Sequence, residues 1–187
     1  VQSGGDAEGF VGQGRLMGST APADILAFWF GRTGEPGFGQ ARSEWFRKDV
    51  AFDDQIRSRF LPSVEAALAG QLAAWAAERQ GLLALLILLD QFPRNLFRGE
   101  AKAFAGDPQA RQLAGTALDQ AWDKGLSAVE KLFIYLPLEH SEALADQERS
   151  VALFSALAAE HPGCDGFLDY ARRHHEGHVR RRLAERL

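Results

Sequence analysis

Residues Leu82 to Leu89 form an unbroken run of eight apolar side chains inside the longer apolar stretch Gln80 to Phe92. A helix that is apolar all round has no face to offer water, so it must be enclosed by other elements on every side. The run falls far short of the roughly 20 residues that a bilayer span takes, which makes it the centre of a protein core and leaves no membrane-spanning segment. From Thr20 onward the apolar residues recur with a helical period nearly everywhere, and no stretch alternates as a half-buried strand would. The chain is therefore predicted to be all-α.

The remaining elements follow from period and punctuation. Ile25, Leu26, Phe28, Trp29 and Phe30 belong to a first helix that starts after Thr20 or Pro22 and ends at Gly31. A short turn over Ser43 to Lys48 offers Trp45 and Phe46. Ile56, Phe60, Val64 and Leu68 are spaced by four on a helix from about Asp53, which Pro62 is expected to break or kink. Pro93 should stop the central helix. Asp107 as N-cap with Pro108 at the first helical position opens a helix to about Asp123. Ser127 and Glu130 form a capping box for a helix ending at Pro137. Further helices run from near Ser141 to Glu160 and from Asp165 to Arg186. About eight helices with short connections predict stacked antiparallel hairpins.

At 187 residues the chain is sized for one domain. Residues 1–16, with five glycines and few large apolar groups, read as a disordered extension or an expression remnant, and the sole methionine, Met17, as the start of the domain at 17–187. The single cysteine, Cys164, excludes an internal disulfide and a Cys-rich metal site, and fits a reducing cytoplasm. The last seventeen residues hold six arginines and two glutamates, whereas residues 1–170 carry a net −8. Cations at a helix C-terminus oppose its dipole, and no aromatic residue interleaves them for base stacking, so nucleic acid is not the expected partner. No phosphate loop, nucleophile elbow or dinucleotide fingerprint is present, and nothing calls for a cofactor.

Four polar stretches exceed what the helical pattern requires. Asp90 continues the buried face of Leu83, Leu86 and Ile87, and an unpaired carboxylate there would cost several kcal/mol or stay protonated, so it needs a partner. Arg94 and Arg98 are the nearest cations. Together with Gln91 and Asn95 they form either a structural corner or a site in which a guanidinium fork grips an anion. Glu139, His140, Ser141 and Glu142 follow Pro137. They read either as the cap and first turn of the next helix or as a general base, His140, working with Glu139 or Glu142. Asp146-Gln147-Glu148 is the third stretch. His174 and His178 share a helix face at a spacing that two metal ligands can use, but His175-Glu176-Gly177-His178 is one residue short of the zincin pattern.

These stretches carry a family resemblance. Ile25 to Gly31, Trp45-Phe46, Phe52-Asp53, LLDQFPRNLFRG from Leu88 to Gly99, Ala103-Phe104-Ala105 with Asp107, YLPLEHSE from Tyr135 to Glu142, Asp146-Gln147-Glu148, and Ala171 to His178 resemble the bacterial domain-of-unknown-function family 924. The resemblance covers about Asp24 to Val179. It implies an all-helical, tetratricopeptide-like fold and supplies no reaction. Similar members continue with a Phe-Gly-Arg-Phe-Pro-His-Arg-Asn segment where this chain reads Arg180 to Leu187, so any part of a pocket built by that segment would be missing or replaced.

Three functions stay open on the sequence. The first is a binding module whose pocket, lined by Asp90, Gln91, Arg94, Asn95, Arg98, Glu139 and His140, takes a small anionic ligand or an acidic peptide end. The second is an acid–base or metal-assisted hydrolase using His140 with Glu139 or Glu142. The third is a structural or homodimerisation module without a site.

Overall fold

The computed structural model describes residues 20–184. The readings of residues 1–16 and of Met17 lie outside the described residues. Eight α-helices follow in order: α1 Pro22–Phe30, α2 Val50–Leu68, α3 Arg79–Leu86, α4 Phe92–Leu96, α5 Asp107–Asp119, α6 Ala128–Glu139, α7 Leu144–Glu160 and α8 Asp165–Ala184. Short 3-10 turns occupy several connections, and no strand occurs among the described residues. No described helix is long and apolar enough to cross a membrane.

The central apolar run is enclosed as its composition demands. Every residue from Leu82 to Leu89 is at most 3% exposed. Helices α1, α2, α5 and α6 surround the rod formed by α3 and α4. An aromatic cluster closes one end of it: Trp29 stacks on Trp45 at 5.6 Å and meets the edges of Phe92 (5.6 Å) and Phe133 (5.3 Å). Arg42 donates to the carbonyls of Phe28 (2.8 Å) and Trp29 (3.2 Å), satisfying acceptors that the end of α1 leaves open.

Three prolines act differently from expectation. Pro62 does not break α2, which runs continuously from Val50 to Leu68 behind an Asp49 cap that accepts from the Phe52 amide at 2.9 Å. Pro62 and Ser58 both lie on the exposed face, so the carbonyl deprived of its partner is on the solvent side, while Phe52, Ile56, Phe60 and Val64 keep the opposite face buried. Pro93 does not stop the central rod, because a π turn over Ile87–Gln91 widens the helix just before it and α4 continues beyond. Pro137 lies within α6, which extends to Glu139 with His140 as its C-cap.

The start of α5 also differs. Gly106 occupies the cap, and Asp107 is the first helical residue, its carboxylate turned away to Arg94. Helix α5 ends at Asp119, earlier than the periodicity suggested. The Ser127–Glu130 capping box forms as expected, with the Ser127 amide donating to Glu130 at 2.9 Å. Ser141 does not cap α7, which starts at Leu144. Its hydroxyl donates instead to Asp146 at 2.7 Å and accepts from the Ala143 amide at 3.1 Å.

Gly106 sits against the Leu89 carbonyl, the acceptor that Pro93 cannot serve in the ordinary helical pattern. A Cβ at position 106 would lie 2.2 Å from that oxygen. Gly106→Ala is therefore expected to push α5 off the π turn and destabilise the protein by about 2–3 kcal/mol in urea unfolding. A loss below about 0.5 kcal/mol would contradict this packing.

Candidate functional site

The π turn delivers Asp90 and Gln91 to the inner end of a recess between α4, α6 and α8. Asp90 is 1% exposed, yet its carboxylate is fully engaged. One oxygen, Oδ1, accepts from His140 Nδ1 at 2.8 Å and faces Arg94 Nη1 at 3.2 Å, and the other accepts from Gln91 Nε2 at 2.6 Å. Burial pushes this carboxyl up, but the His140 charge and hydrogen bond, Arg94 and Gln91 together outweigh it and hold Asp90 below its ordinary value. Asp90 is thus an ionised acceptor, and His140 Nδ1 is the atom that donates.

The two predicted cation partners of Asp90 part company. Arg94 pairs with it and also closes a two-pronged bond on Asp107, at 2.8 and 3.0 Å, joining α4 to α5. Arg98 does not reach Asp90. It pairs with Asp53 at 3.2 Å, and Asn95 donates to the same carboxylate at 2.7 Å, tying α4 to α2. Arg57 adds a bond from α2 to the Leu96 carbonyl at 2.8 Å. The guanidinium forks expected to grip a ligand are therefore occupied by the protein's own carboxylates.

Glu139 and His140 end α6. Their corner is fixed from the other side by Gln147, which donates to the Ser141 carbonyl at 2.7 Å, and by Asp146, which takes the Ser141 hydroxyl and Arg111 (3.2 Å). Asp146 and Gln147 thus position the imidazole from a distance. Glu139 is 2% exposed, and its Oε1 has no hydrogen-bond partner. Burial raises its pKa to about 7; His140 opposes the shift, and Asp90 reinforces it. Its place at the negative end of α6 disfavours ionisation further.

Gln91, Arg94, Asn95, Arg98, Glu139 and His140 line one recess of about 440 Å³, a volume suited to a small molecule. Asp90 lies beneath its wall. Trp45, Phe46, Leu136, Phe167 and Tyr170 supply the apolar side, none of them singled out by the sequence as site residues. A second recess shares Arg94, Glu139, His140 and Tyr170 with the first and continues along α8 past His174. Phe46, Phe104 and Tyr170, each more than half exposed, line these two recesses. Large exposed aromatics gathered at one concavity mark a contact surface better than scattered ones do.

The remaining candidates separate. Glu142 is not the partner of His140. It lies in the second recess, exposed, with Oε2 3.1 Å from His178 Nδ1 but without hydrogen-bond geometry. His174 faces Glu139 at 3.9 Å, and its ring centre is 6.5 Å from that of His140. Burial, His140 and Arg181 lower its pKa. His178 is buried and lines neither recess. Among the described residues no group of three His, Cys, Asp or Glu side chains is placed to hold a metal, so the His174 and His178 pair has no third ligand. Cys164 is buried, and burial with Asp165 nearby raises its thiol pKa, which disfavours the nucleophilic thiolate.

The Glu139 shift makes a signed prediction. Between about pH 4.5 and 7 the unfolded chain loses this proton while the folded chain keeps it, so the group's contribution to stability falls as pH rises through that window. The shift corresponds to about 3 kcal/mol. Glu139→Gln should therefore gain about 2–3 kcal/mol on the native chain between pH 4.5 and 8, read by urea unfolding at a series of pH values. A difference that does not change with pH would contradict the assignment.

The sequence profile of a bacterial protein family of unknown function, DUF924, matches residues 25–181. Among solved structures, the chain is similar to the protein of unknown function ATU0120 from Agrobacterium tumefaciens, at 37% identity and a TM-score of 0.70, over 83% of this chain and 80% of that one. A comparison with curated proteins gives no match. The profile match spans both long motifs that build the recess, LLDQFPRNLFRG and YLPLEHSE, and the chain belongs to the DUF924 family of bacterial proteins of unknown function.

Proposed function

We propose that the protein is an acid–base hydrolase acting on a small, partly apolar substrate in the recess between α4, α6 and α8. The observation that carries this reading is the Asp90–His140 pair at 2.8 Å beside the buried carboxyl of Glu139, whose Oε1 has no hydrogen-bond partner. Two carboxyls that both feel the same imidazole have opposite shifts, Asp90 down and Glu139 up to about 7. Neighbouring titratable groups driven apart in this way are suited to separate base and acid roles.

In this mechanism Asp90 fixes the imidazole through Nδ1 and leaves Nε2, which has no protein partner among the described residues, to act as base. Nε2 takes a proton from a water molecule as its oxygen attacks the carbonyl carbon of an ester or amide. Glu139 delivers its proton to the leaving oxygen or nitrogen as the bond to carbon breaks. Proton exchange with solvent then restores both groups. Gln91 and Arg94 hold Asp90 ionised throughout, so they are positioning residues.

One observation weighs against the simpler anion-binding role for the LLDQFPRNLFRG motif. Arg94 is held by Asp90 and Asp107, and Arg98 by Asp53, so neither fork is free to take a ligand without breaking an internal pair.

Hydrolysis of p-nitrophenyl acetate and p-nitrophenyl butyrate tests the reading. The native protein should accelerate cleavage, and His140→Gln should lose about 100-fold or more in kcat/KM; with ethyl butyrate, whose alkoxide must be protonated to leave, the rate should also fall above about pH 7 as Glu139 loses its proton. No acceleration of either p-nitrophenyl ester, or acceleration that survives His140→Gln, would contradict it.

A further inference from the structure

The acid–base reading leaves the arginines of α8 without a role. Tyr170, Arg173, His174, Gly177 and Arg181 form one wall of the second recess. Their spacing of i, i+3, i+4, i+7 and i+11 makes them a single stripe on the helix. The neighbouring arginines off this stripe are paired on their own helix, Arg172 with Asp169 at 4.0 Å and Arg180 with Glu176 at 3.8 Å. Arg173 and Arg181, which line the recess, have no ion pair among the described residues. Among the described side chains of α8, the guanidinium groups without an ion pair are therefore the two that line the cavity.

Gly177 is a second, independent observation. Glycine in the interior of a helix costs up to about 1 kcal/mol relative to alanine, and α8 runs unbroken through it from Asp165 to Ala184. No packing requires glycine there, because a Cβ at position 177 would meet nothing within 4 Å. Its absent side chain leaves that wall of the recess open between Arg173 and Arg181. None of the three acids lining this recess pairs with either guanidinium group among the described residues: Asp107 is held by Arg94, Glu142 lies beside His178, and Glu139 faces His174 at 3.9 Å.

We propose that Arg173, His174 and Arg181 form a phosphate-binding arm of the site, taking the phosphoryl group of a small molecule whose apolar body rests on Phe46, Phe167 and Tyr170. Two guanidinium forks and an imidazole provide donors for the three outer oxygens of a phosphate monoester, and guanidinium geometry suits that group. The arm shares Glu139, His140 and Tyr170 with the first recess, so a ligand spanning both would pass the Asp90–His140 pair. Only that last point rests on the acid–base reading; the grip on phosphate does not.

Titration calorimetry with phenyl phosphate and with inorganic phosphate tests the arm without any turnover. The native chain should bind phenyl phosphate more tightly than inorganic phosphate. Arg173→Ala and Arg181→Ala should each weaken both probes by about 10-fold or more. Phe46→Ala should weaken phenyl phosphate alone. Gly177→Ala should raise the melting temperature by about 1–3 °C while lowering phosphate affinity, a combination that a purely structural role would not produce. The proposal is overturned if the native chain binds neither probe at millimolar concentration, or if both arginine variants bind like the native chain. Failure of ester hydrolysis with binding intact would count against the acid–base reading alone.

Discussion

A carboxylate placed at the end of the most apolar helix governs how the rest of this molecule is arranged. Asp90 is sealed from water and held ionised, which is tolerable only because three side chains converge on it. Gln91 and Arg94 come from its own rod, the second across the π turn, and His140 comes from the end of α6. Removing any one of them would leave a buried charge short of compensation, a change that typically costs several kcal/mol. The requirement fixes where α6 must end relative to α4. Through Arg94 and Asp107 it also fixes where α5 begins.

The polar motifs divide by what they satisfy. Asn95, Arg98 and Arg57 bind α4 to α2, and Ser141, Asp146 and Gln147 hold the turn between α6 and α7. These contacts engage the Asn95 amide, the two guanidinium groups, the Ser141 hydroxyl and the Gln147 amide nitrogen within the protein itself. In the recess walls the Oε1 atoms of Glu139 and Gln147 are buried without a hydrogen-bond partner, and His140 bonds only through Nδ1 among the described residues. That the unsatisfied groups adjoin exposed aromatics and arginines without an ion pair among the described residues separates a site from a well-made corner.

Much of this was legible in one dimension. Helical period alone gave the all-α architecture, and the placement of Asp90 on a buried face demanded a partner before any partner was known. Its nearest match, Arg94, lies one turn away and was readable. His140 is 50 residues distant, and no local pattern pairs the two. Arg98 was misdirected for the same reason: its true partner, Asp53, is 45 residues back on α2. The prolines misled because their cost depends on surroundings that a sequence does not display. Pro62 faces water, and a π turn precedes Pro93. The arginines of α8 look like dipole compensation in sequence, and only the recess separates Arg173 and Arg181 from their paired neighbours.

The central claim is that an ionised Asp90 holds His140 through Nδ1 and so presents Nε2 to the recess. Nitrogen-15 NMR of the histidine rings reads this directly at a pH where His140 is neutral. An ionised carboxylate can only accept, so the account predicts the proton on Nδ1 and a lone pair on Nε2, with that preference lost in Asp90→Asn. A native protein with the proton on Nε2 would contradict it.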